Sequence, residues 1–196
     1  MSVNLRKGEK VNLRKPEGGG ELRRVMVGLG WDEVEQKKTL FFTPKPIDCD
    51  ASAILCINGK LKGIDDVVYY GNLNHKSGAV AHMGDNITGE GDGDDEQISI
   101  DLKTIPSQYD RIVIVVNIYD ANARRQHFGL IQNAFVRVFD VDTNKEICKY
   151  DLSENYDGMT TVICGELVKE GNEWKFNAVG QANKDPNLQT IISRYR

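Results

Sequence analysis

No run of apolar residues in this chain approaches the roughly 20 needed to span a bilayer as a helix, so direct membrane insertion is not expected. The opening MSVNLRKGEK carries charge without an apolar core, so no secretory signal is read there. Cysteine is sparse. Cys49, Cys56, Cys148 and Cys164 are widely spaced and form no CxxC pair, and Cys56 and Cys164 lie inside apolar runs. They read as reduced thiols of a cytoplasmic protein and not as a disulfide framework. Histidine is scarcer still. His75, His82 and His127 have no ligand-like spacing with one another or with the cysteines, which argues against zinc. A basic excess is also missing, with 25 Lys+Arg against 29 Asp+Glu, so general nucleic-acid binding is not expected.

The acidity is concentrated in one place. The stretch GDNITGEGDGDDE, residues 84–96, holds Asp85, Glu90, Asp92, Asp94, Asp95 and Glu96 with four glycines and no basic residue. Setting those six carboxylates aside turns the net charge of −4 into +2. Crowded like charges cost about 1 kcal/mol per pair at roughly 4 Å in water, and more near a protein surface. Either the segment stays solvated or a cation sits among its oxygens. Glycines let backbone carbonyls turn inward as further ligands for a hard divalent ion. The pattern does not match the EF-hand loop.

At 196 residues the chain is expected to be a single domain, 1–196, with 183–196 a C-terminal helix or tail. The repeat NLRKGEK and NLRKPEG at 4–10 and 12–18 suggests an edge hairpin. Strands follow from alternation and β-branched runs: Arg24 to Trp31, Ala51 to Ile57, Val67 to Tyr70 and Ala79 to Met83. Next come Gln97 to Leu102 (Ile98, Ile100 and Leu102 inward), Arg111 to Tyr119 and Ala134 to Val141, then Glu146 to Leu152, Thr160 to Lys169 and Glu173 to Val179. RIVIVVNIY reads as a central strand buried on both faces. DANARRQHFG reads as a helical turn or two, and the tail after Pro186 carries an amphipathic helix pattern. Asp32 to Pro46 reads as a polar loop whose Phe41 and Phe42 need cover. Many short strands with frequent turns predict a mainly β protein, a sandwich of two sheets with one or two short accessory helices.

The acidic stretch thus connects two strands, which anchors its ends. Asp48 and Asp50, two apart in DCDAS, point to one face of a strand and supply a second wall, although a lone DxD usually reflects turn chemistry. Eight carboxylates exceed what one divalent ion needs, so two bridged ions are the working picture. Asn72 is a neutral oxygen donor able to join them. Arg124 and Arg125 are the best anion-binding candidates, with a solvated helix face as the competing reading. VGLGWDE lacks the third glycine of a dinucleotide fingerprint and precedes no helix.

These stretches resemble the TerD-type tellurium resistance proteins. The likeness rests on SVNLRKGEKVNL, VGLGWD, DCDAS, GDNITGEGDGDDE, DANARRQHFG, YDL, GEL and EWKFNAVGQ, which span most of the chain. The resemblance implies a β-sandwich binding two Ca2+ ions through Asp48, Asp50, Asp85, Asn86, Glu90, Asp92, Asp94, Asp95 and Glu96, with backbone carbonyls near Thr88 and Gly89. It implies a stress-response protein with no established enzymatic activity. It would act with other Ter-family proteins, including a membrane-embedded partner, in the cytoplasm or beneath the inner membrane. Two departures stand out: a longer Asp32–Pro46 link, and Cys49 where Leu or Ile is usual. Competing readings are a metal-dependent hydrolase using the same carboxylates, and thiol-based tellurite binding or reduction.

Overall fold

Period-two alternation decides the architecture. The computed structural model describes residues 2–15, 22–34, 45–84, 93–152 and 156–196. Among these, the strands form two six-stranded sheets packed as a sandwich. The first sheet runs β1 (Val3–Leu5), β10 (Lys145–Asp151), β9 (Ile131–Asp140), β3 (Arg24–Glu33), β7 (Glu96–Asp101), β6 (Val80–His82). The second runs β2 (Lys10–Asn12), β12 (Glu173–Asn183), β11 (Thr161–Glu170), β8 (Arg111–Ile118), β4 (Cys49–Cys56), β5 (Val67–Val68).

The expected N-terminal hairpin is not there. β1 pairs in parallel with β10 in the first sheet, whereas β2 pairs antiparallel with β12 in the second. The two copies of the repeat therefore bind different sheets and strap the sandwich at its edge. Each satisfies a row of backbone groups that would otherwise be an open edge.

Between the sheets, Val25, Val27, Leu29, Ile98 and Ile100 meet Ala51, Ala53, Leu55, Ile112 and Ile114 in one core. Leu102, expected inward, is only half-buried, because β7 ends at Asp101. β8 is covered on its other face too. Val113 and Val115 join Ile54 of β4 under Ile191 and Ile192 of α2 (Leu188–Ser193). Burying each of those isoleucines stabilises by about 1.5–3 kcal/mol. Asn187 caps α2 by accepting from the Thr190 amide at 3.0 Å. α1 (Ala121–Arg124) and a 3-10 turn (Phe128–Leu130) fill DANARRQHFG as expected.

Pairing registers bring the start of β4 (Cys49 opposite Ile118), the end of β3 (Glu33 opposite Ile131) and the start of β7 to one end of the sandwich. β6 and β7 are antiparallel neighbours, so the acidic stretch joins them across that end.

Candidate functional site

Asp85, Asn86, Thr88, Gly89, Glu90 and Asp92 lie outside the described residues, as do Phe41 and Phe42. The flanks of the acidic stretch are fixed. Met83 donates its amide to the Gln97 carbonyl at 2.9 Å, and Gly84 donates to His82 Nδ1 at 3.2 Å. Gly84 and Gly93 take φ of 129° and 120°, a region that favours glycine.

Glu96 opens β7 with its side chain turned between the sheets and only 1% exposed. Its Oε2 accepts from the Ala51 amide at 3.2 Å and lies 2.8 Å from His82 Nε2. Among the described residues β5 pairs only with Ala53 and Ile54, and the β4 edge at Ala51 meets no strand there and takes a carboxylate instead. Cys49 sits beside this link. Burial first, then the charges of Asp50, Asp48, Glu96 and Glu33, push its thiol well above the ordinary value.

Asp95 and Asp94 diverge. The Asp95 amide donates to the Leu29 carbonyl at 2.7 Å, and Asp95 Oδ2 accepts from the Trp31 amide at 2.9 Å. Burial above all, with the carboxylates of Asp32, Asp94 and Glu96, raises its pKa against the lowering effect of the Trp31 amide. Asp94 is bound on the opposite side. Its fully buried carboxylate receives Arg137 Nε at 2.6 Å and Gln97 Nε2 at 3.0 Å. The glycines of VGLGW now have a reason unrelated to nucleotides. A Cβ on Gly28 would collide with the Asp94 carboxyl, and one on Gly30 would stand 2.7 Å from the Gly93 carbonyl oxygen. Residues 93–95 cross β3 where only glycine leaves room.

Asp48 and Asp50 do not form a second wall facing Glu96: Cys49 and Ala51 take the inter-sheet side of β4, and Asp50 turns to the outer face of the second sheet. Asp50, 4% exposed, is directly opposite Asn117 on β8, and its Oδ2 accepts from Asn117 Nδ2 at 3.3 Å. Asp48 lies 3.5 Å from Arg124 NH1, and the Arg124 guanidinium stacks 4.9 Å from the Tyr119 ring centroid. Arg124 is thus committed to a carboxylate and a ring, while Arg125 is exposed. Asn72 folds into its own turn, donating Nδ2 to the Val67 carbonyl at 2.7 Å.

All four cysteines are buried and unpaired with one another. Burial drives the Cys56, Cys148 and Cys164 thiols up to about 12. A separate buried carboxylate, Asp66, accepts from Tyr109 at 2.7 Å, Lys76 at 2.7 Å and His75 Nε2 at 3.3 Å.

The carboxylates at this end offer oxygen donors, which suit a hard cation better than zinc or copper. Among the described residues, no three His, Cys, Asp or Glu converge closely enough to hold an ion by themselves. Sequence reasoning missed Arg137, Asn117 and His82. Arg137 and Asn117 reach the acidic residues only through sheet pairing far along the chain. Asp32 and Glu33, visible in GWDE, could have been added: Asn133 donates to Asp32 at 2.7 Å, and Ile47 donates its amide to Glu33 at 2.5 Å.

The TerD domain model matches residues 1–195. Stress response protein SCP2 of Bacillus subtilis is 48% identical over 200 residues, spanning 100% of both chains. Tellurium resistance protein TerD of Serratia marcescens is 46% identical, over 100% of this chain and 97% of its own. Among solved structures, a homologue of telluride resistance protein (TerD) from Streptomyces coelicolor superposes with a TM-score of 0.65 at 19% identity. It covers 87% of this chain and 95% of its own, and so speaks for the fold alone.

Proposed function

The chain belongs to the TerD domain family, and from that premise we propose that it is a non-enzymatic, calcium-binding stress-response protein of the tellurium resistance type. Two Ca2+ ions would draw on Asp48, Asp50, Asp95 and Glu96 together with the segment 85–92. Asp94 is occupied by Arg137 and contributes through position instead. Bound calcium supplies positive charge and an oxygen-coordination frame. The chain's own residues set the geometry: Glu96 and the Asp95 amide pin the acidic stretch to β4 and β3, while Asp48 and Asp50 stand at the start of β4 at the same end.

The hydrogen bond from the Ala51 amide to Glu96 carries this reading, because it joins the acidic start of β7 to the acidic start of β4 at 3.2 Å. Neutralising that edge orders the loop and presents a surface to other Ter-family proteins, a membrane-embedded one among them, in the cytoplasm or at the inner membrane face. No helix among the described residues is long and apolar enough to cross a membrane. The thiol route is disfavoured by burial, which keeps every cysteine protonated near neutral pH.

Melting with calcium against EGTA tests the reading. Binding to the folded state alone stabilises by about 2.7 kcal/mol at a hundredfold excess over Kd, a rise of several degrees. Asp48→Asn with Asp50→Asn should remove most of the rise. No shift at millimolar calcium would overturn the reading, and titration calorimetry gives the number of ions.

A further inference from the structure

The same end of the sandwich carries a second feature, on the outer face of the second sheet beside α2. It is a cleft of about 370 Å³ with Asp50 and Asn117 lining it, walled by Tyr69, Tyr70 and Tyr119 and flanked by Asp120. Leu188 and Ile192 of α2 supply an apolar side. No basic side chain is among the described residues that line it.

Asn117 is the informative residue. It is 5% exposed, and its Nδ2 is spent on the Asp50 carboxylate. Its Oδ1 is buried with no hydrogen-bond partner. Flipping the amide does not help, because it would set two acceptors against each other. A buried acceptor left this way costs roughly 1–3 kcal/mol, so a donor is wanted at that point. Beside it stands the Asp50 carboxylate, whose negative charge favours a cationic donor over a neutral one.

The walls say which kind of cation. A bare metal ion needs oxygen ligands converging on one point; Asp50, Asp120, Asn117, Asn187 and Gln189 line this cleft, but among the described residues no three His, Cys, Asp or Glu converge to hold an ion. Aromatic faces attract cations whose charge is spread over N–H and C–H groups. Tyr69 and Tyr70 meet edge to face at 5.3 Å between centroids, and Tyr70 and Tyr119 at 6.3 Å, a continuous aromatic wall. Tyr70 and Tyr119 are 45% and 43% exposed, large apolar surface left at the mouth. Tyr119 already holds one guanidinium, that of Arg124.

We propose that this cleft binds a primary ammonium or guanidinium on an aliphatic stem, with the cation donating to Asn117 Oδ1 and Asp50, and the stem lying between the tyrosines and α2. The source is a free amine or the Arg or Lys side chain of a partner protein. The assignment does not require the calcium reading, although Asp50 borders both sites.

Amide-resolved NMR titration of the full chain, in EGTA and again in calcium, tests it with three probes: agmatine, a blocked Gly-Arg-Gly peptide and neutral butylurea. Saturable shifts at Asn117, Tyr119 and Leu188 with agmatine alone assign a free amine. Shifts with the peptide alone assign a partner's side chain, and shifts with both support the shared chemistry. Tyr119→Ala and, separately, Asn117→Leu should each weaken binding about tenfold. Tyr119 is exposed, so its variant keeps the test valid where Asn117→Leu fails to fold. Equal binding of butylurea, or no saturable shift with either cation, overturns the proposal. Calcium alone moving the same three amides, with neither organic cation doing so, also overturns it and gives the cleft to the metal. The calcium-dependent melt should survive Tyr119→Ala, so failure here and failure of the calcium reading are separable.

Discussion

Glu96 Oε2 accepts the amide hydrogen of Ala51 at 3.2 Å, and this one side chain stands where a strand would otherwise pair with the β4 edge. The same oxygen lies 2.8 Å from His82 Nε2, so β6, β7 and β4 meet on a single carboxylate. The acidic stretch is therefore attached to the second sheet as well as to its own.

Removing that carboxylate separates two contributions. Glu96→Ala leaves the Ala51 amide buried without its acceptor, removes the carboxylate beside His82, and should cost about 2–3 kcal/mol. Glu96→Gln keeps an acceptor for Ala51 and should cost about 1 kcal/mol. Urea midpoints at unchanged m-value measure both. Equal losses would mean that the charge facing His82 dominates and that the edge bond contributes little.

Gly30 makes a different demand. Its missing Cβ leaves space for the Gly93 carbonyl and the Phe135 ring, which would stand 2.7 Å and 2.6 Å from it. The ring can turn, but the backbone of residues 93–95 is tied to β3 through Leu29 and Trp31. Gly30→Ala should therefore cost about 2 kcal/mol and shift the amides of Gly93 to Glu96 in NMR spectra. Unchanged amides there would place the strain on Phe135 alone.

Most strands could be read from the sequence because their pattern is local. Ile98 and Ile100 alternate inward, RIVIVVNI has no polar face, and α2 shows its stripe. The N-terminal repeat misled because pairing partners are not local. Val3 meets Cys148 and Val11 meets Phe176, and nothing within residues 4–18 says so. The site divides the same way. Composition located the acidic end, and the two-residue spacing of Asp48 and Asp50 placed them on one face. It could not sort Asp94, held by Arg137, from Asp95 and Glu96, which turn to β3 and β4. That sorting depends on which strand lies beneath each side chain, a property of sheet order.

Asp66 sets the pH dependence away from the acidic end. Burial raises its carboxyl, but the hydrogen bonds from Lys76, Tyr109 and His75 outweigh that and hold it below the ordinary 3.8. A depressed folded value stabilises fully above the unfolded value and loses that contribution as pH falls through the folded one. Asp66→Asn removes the charged acceptor and should cost about 2 kcal/mol at pH 7. The gap from wild type should then narrow as pH falls below 3.8 and close only below the depressed folded value, where both chains carry a neutral group. Tyr109 gives the alkaline counterpart. Burial and its bond to Asp66 raise its phenol above 10, so its contribution holds below that value and fades as pH rises through the folded one. Tyr109→Phe should flatten the alkaline limb and leave the calcium-dependent shift in Tm unchanged. Urea midpoints of the three chains from pH 2.5 to 11 measure both limbs. A gap between wild type and Asp66→Asn that stayed constant down the acid limb would show that Asp66 acts by packing and shape, not by charge.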